Sequence, residues 1–95
     1  MYAVFTEVDV DESQTETGRE FLNRVVAPRA REAGAKTGHW LAPGGGRGVS
    51  IVVFDTEDAA RAVADRFTVG QPPAPDAPAG VIVRTVEVRE VLASI

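Results

Sequence analysis

The side chains able to do chemistry are few, and two of them are adjacent. Gly38-His39-Trp40-Leu41 carries the only histidine and the only tryptophan of the chain. Histidine titrates near neutrality, so His39 can serve as a general base on a phenol or another acidic substrate. Trp40 offers a flat apolar ring on which an aromatic ligand can stack. Tyr2, Thr6 and Ser50 are polar or half-polar groups in otherwise apolar segments, and such groups orient ligands by hydrogen bonding. His39 is therefore the candidate catalytic residue, with Trp40, Tyr2, Thr6 and Ser50 as candidate ligand contacts. The plainer alternative has Trp40 filling core or interface, His39 at an edge, and the hydroxyls bonded to backbone or water. A lone histidine completes neither a triad nor a metal set.

Other constellations carry less. Gly44-Gly45-Gly46-Arg47-Gly48 lacks the lysine and hydroxyl of a phosphate loop and leads into a strand rather than a helix, so it reads as a hairpin turn. Asp9, Asp11 and Glu12 lack the spacing of a calcium loop. No cysteine is present, which removes disulfides and thiolate metal sites. No metal and no cofactor are expected.

Composition sets wider bounds. The chain has 95 residues, enough for one domain over 1–95. Its net charge of −4 argues against nucleic acid, which selects a basic face. No apolar run approaches the roughly 20 residues that span a bilayer, so no membrane partner is expected. The start runs directly into Tyr-Ala-Val-Phe, without a basic region or cleavage site, and predicts no signal peptide. These features together predict a cytoplasmic protein.

The elements that must position the candidates are organised around residues 47–67. Val49, Ile51 and Val53 fall on one face of a strand, and Ser50, Val52 and Phe54 on the other. Such a strand is apolar on both faces and belongs mid-sheet. Asp55 or Thr56 then caps a helix whose stripe is Ala59, Ala60, Val63, Ala64 and Phe67.

Tyr2 to Val10 reads as a first strand, also apolar on both faces at its start. Ser13 with Glu16 and Thr17 with Glu20 are overlapping capping boxes. Thr17 is the preferred start, because Gly18 fits poorly inside a helix. The helix carries Phe21, Leu22, Val25, Val26, Ala30 and Ala33, and Gly34 ends it. Pro28 predicts a kink or a second short helix. Thr37 to Leu41 reads as a second strand, hairpinned to the third through Pro43 to Gly46. Gln71 to Gly80, with its four prolines, reads as an extended surface loop. Val81 to Leu92 reads as an edge strand.

The order β-α-β-β-α-β is the split βαβ pattern of the ferredoxin-like fold, an α+β class with a four-stranded antiparallel sheet and two helices on one face. The two central strands are apolar on both faces, yet the helices reach only one. At about 25 cal/mol per Å², covering several hundred Å² of apolar sheet is worth several kcal/mol. The expected cover is a second copy of the same sheet, giving a homodimer.

Element order, strand pattern and the segments Gly38-His39-Trp40-Leu41 and Gly48 to Ala59 resemble the dimeric α/β-barrel superfamily, including antibiotic-biosynthesis-type monooxygenases and actinobacterial members. That resemblance implies sheets paired in a homodimeric α/β barrel and a small apolar or aromatic ligand. It further implies oxygenation of an aromatic or polyketide-like substrate without a cofactor. The superfamily's haem degraders use an asparagine, tryptophan and histidine set. Asn23, Trp40 and His39 do not match its order or spacing, so haem chemistry is not carried over. The alternative is a non-catalytic structural or sensing module.

Overall fold

The computed structural model describes residues 1–95. Four strands form one antiparallel sheet: β1 (Tyr2–Asp9), β2 (Thr37–Trp40), β3 (Arg47–Phe54) and β4 (Ile82–Glu90). Their order across the sheet is β2-β3-β1-β4. The two strands that read as apolar on both faces, β1 and β3, are the central pair, and the architecture is α+β and ferredoxin-like.

Register assigns the faces. Tyr2 lies opposite Phe54, Val4 opposite Val52, and Thr6 opposite Ser50. Val52 also faces Gly38 and Ser50 faces Trp40 across the other side of β3. These residues look toward the helices. Ala3, Phe5, Glu7, Asp9, Arg47, Val49, Ile51 and Val53 point the opposite way.

α3 (Glu57–Ala64) starts as its sequence dictates. The Thr56 hydroxyl accepts the Ala59 N–H at 3.1 Å, and Glu57 and Asp58 place negative charge at the positive end of the helix dipole. Its small side chains let it lie close, and Ala60 is fully buried against Val4, Val52 and Phe54. The helix ends at Ala64, so Phe67 lies beyond it, in the following turn, rather than on its stripe.

The first helical arm departs from expectation at its start. Neither capping box forms. Asp11 instead accepts the Ser13 N–H at 2.9 Å and starts a 3-10 turn, Glu12–Gln14, which runs directly into α1 (Thr15–Phe21). Gly18 therefore sits within the helix. Pro28 falls in the first turn of a second short helix, one of the two outcomes its position predicts. A π-helical turn, Leu22–Val26, precedes α2 (Ala27–Glu32), which places the proline in a first turn where its missing N–H costs little. The Ala27 N–H donates to the Leu22 carbonyl, five residues back. Ala30 and Ala33 pack against the core, while Phe21, Leu22, Val25 and Val26 stay half-buried. Gly34, at φ 99°, closes the arm in the left-handed conformation.

β4 is shorter than its sequence suggests, and its register shifts between Glu7 and Val8 of β1. Strict alternation from Val88 and Val86 would send Arg84 into the core. The bulge pairs Thr85 with Glu7 and Val83 with Val8. Val83 becomes fully buried, and Arg84 stands outside, 3.0 Å from Asp9. The proline loop has no regular structure, as expected. Arg29 fastens it to α2 by donating to both carboxylate oxygens of Asp76, at 3.1 and 2.7 Å. No helix is long and apolar enough to cross a membrane.

Candidate functional site

The fold divides the candidate residues between the two faces of the sheet. Trp40, Ser50 and Thr6 form a transverse row beneath the helices, each directly opposite the next. Thr6 is buried; Ser50 and Trp40 are half-buried. Tyr2 is on the same face, two rows away, at the end where Glu90 lies opposite it. The nearby Glu90 carboxylate raises the Tyr2 phenol above its ordinary range.

His39 is exposed on the opposite face, where it begins the row His39, Ile51, Phe5, Glu87. Adjacent strand residues alternate, so His39 and Trp40 cannot enter one cavity of a single chain. No single-chain site joins the proposed base to the four proposed ligand contacts.

The helix-free face has its own composition. Ala3, Phe5, Val49, Ile51 and Val53 form its apolar centre, and Ile51 is 43 % exposed. Charges border that centre in matched numbers. At one end Arg47 contacts both Glu7 and Asp9 at 3.2 Å, Arg84 pairs with Asp9, and the Thr85 hydroxyl donates to Glu7. At the other end Arg89 pairs with Glu87. Three acids and three arginines leave the border neutral, apart from His39. Ala3, Phe5, Ile51, Glu87 and Arg89 line a shallow depression of about 250 Å³, open to solvent.

A second open depression, of about 140 Å³, lies at the sheet's other side. It is formed by Ala27, Ala30 and Arg31 of α2, by Ala35 and Lys36, and by Thr37, Gly38 and Trp40 of β2. The sequence drew attention to Trp40 there but missed Arg31 and Lys36. The available signal was the pair of basic residues flanking the turn into β2. No group of His, Asp and Glu side chains is placed to hold a metal ion.

Comparison with known proteins leaves the site to its geometry: no protein-family model, no curated protein and no solved structure matches this chain.

Proposed function

We propose that this protein is a homodimer whose helix-free sheet faces close on one another and hold a small, largely apolar molecule between them. The observation that carries the reading is that face: an apolar centre on the two middle strands, inside a border of mutually neutralised charges. An apolar patch with a polar rim is the anatomy of a protein interface. Charge balance matters for a second copy in particular, because a border of one sign would repel its own twin. The depression beside Phe5 and Ile51 becomes an enclosed space once a second sheet lies over it, with His39 on the same face.

The ferredoxin-like fold is compatible with the dimeric α/β-barrel superfamily, and the resemblance supplies a reaction. That reaction is cofactor-independent oxygenation of an aromatic substrate, with His39 as base. The binding part is tested by a thermal-shift screen with quinols, flavins and haem. A binder should raise the melting temperature of the wild type and leave Ile51→Lys unmoved. Equal shifts in both would remove the sheet face from the site. For the chemical part, His39→Ala should abolish oxygen uptake with a quinol substrate; retained uptake would take His39 out of the mechanism.

One observation favours a second reading. The centre beneath the helices is well packed, with Phe54 and Val83 fully buried, and both principal depressions of the single chain are open. A non-catalytic module would pair its sheets in the same way and show no shift with any of these compounds.

A further inference from the structure

We propose that the cleft between α2 and β2 binds a small aromatic carboxylate. The cleft is a different surface from the sheet face and does not depend on what covers that face. Its volume, about 140 Å³, is close to that of an engineered cavity of ~150 Å³ that admits benzene. The cleft, open on one side, has room within its walls for about one six-membered ring.

The lining sets the chemistry. Ala27, Ala30 and Ala35 give small apolar contacts, and Trp40 gives an aromatic surface. A Cβ on Gly38 would come within 2.9 Å of Trp40 Cη2, so the glycine provides the space over which the indole folds. Charge comes from Arg31 and Lys36. Every lysine and arginine of this acidic protein except Arg31 and Arg66 has a carboxylate within 4.0 Å. Arg31 is thus an unpaired guanidinium on the wall of a cleft of mixed polar and apolar lining, and a guanidinium matches a carboxylate with two parallel hydrogen bonds. Lys36 pairs with Asp55 at 3.1 Å, but both groups are more than half exposed and that contact is weak.

Backbone donors complete the set. The Leu41 N–H donates to the Val49 carbonyl, and His39 lies opposite Ile51. By strand alternation the Gly38 and Trp40 N–H groups then turn to the unpaired outer edge of the sheet, the edge formed by the strand that lines the cleft. A ring lying against Trp40 can present its carboxylate to Arg31 and to these donors together.

Trp40 is the only tryptophan, so the tryptophan emission of the protein comes from a residue that lines the cleft. Benzoate should change that emission saturably, with half-saturation at about a millimolar, as befits a ligand of so few atoms. Benzyl alcohol, with the same ring and no charge, should have no saturable effect. Arg31→Gln should weaken benzoate by about fivefold or more. Arg66→Gln, which removes the other unpaired arginine, should leave it unchanged. Ile51→Lys should bind benzoate as the wild type does, which separates this cleft from the sheet face. No saturable change up to about 20 mM, an equal response to benzyl alcohol, or equal weakening by the two arginine substitutions would each overturn the proposal.

Discussion

Gly18 and Gly38 share a residue type and have opposite surroundings. Gly18 lies inside α1 with nothing within 4 Å of where a Cβ would stand. It therefore contributes only the backbone entropy cost of glycine in a helix. Gly18→Ala should stabilise the protein by about 0.5–1 kcal/mol, measured by urea unfolding; a loss of stability would mean that α1 packs more tightly there than described. Gly38→Ala must instead displace the Trp40 ring. It should destabilise by about 1–3 kcal/mol and shift Trp40 emission. Thr56→Ala removes the cap of α3 and should cost about 1 kcal/mol. A capping hydroxyl was legible at Thr56 because strand, cap and acidic first turn follow in order. It was misread at Ser13 and Thr17, where Asp11 takes the local N–H two residues on and begins the turn earlier.

Among the elements, the sheet was the most legible and the connections the least. Period-two alternation fixed the faces of β1 and β3 and so the central pair. β4 obeyed the alternation only as far as Thr85. The cost of burying Arg84 is larger than the cost of one irregular pair, so the strand bulges and Val83 fills the core. The sequence carried that signal in the spacing of Arg84 between Val83 and Val86. Pro28 was legible as a disturbance, but the π turn that absorbs it was not. The proline loop was legible as irregular, whereas its fastening to Arg29 lies 47 residues away in sequence and leaves no local trace.

That fastening has a pH signature. Hydrogen bonds from Arg29 hold the Asp76 carboxyl below its usual range, and bonds from Ser13 do the same for Asp11. A carboxylate whose folded pKa is depressed stabilises the fold above its unfolded pKa, near 3.9, and loses that stabilisation as pH falls through the folded value. Melting temperature should therefore decline from about pH 4 downward. Asp76→Asn should flatten part of that decline. An identical profile in the variant would show that the loop's ion pair contributes nothing to stability, as many exposed pairs do.

At the scale of the whole molecule, the core is small: six of 95 residues are buried. Helices on one side cannot supply more, and the apolar centre of the other side remains. Strand spacing of about 4.8 Å and rise of about 3.3 Å give the four-stranded face a footprint of roughly 450 Å². Two such faces supply about 900 Å², short of the roughly 1,200–2,000 Å² of stable interfaces. Exposed apolar residues near its edges, Leu41 at 57 % and Leu92 at 89 %, can add to it. The arrangement of elements was legible because hydrophobic period and turn residues are local. The division of His39 from Trp40 followed from the same period. What those residues recognise was not legible, since one histidine and one tryptophan fit several chemistries.

The most direct test of the central claim is the mass of the protein in solution, measured by sedimentation equilibrium at micromolar concentration. The account predicts about twice the 10.1 kDa of one chain for the wild type, and one chain for Ile51→Lys with its circular dichroism unchanged. A wild type that sediments as a single chain would contradict it.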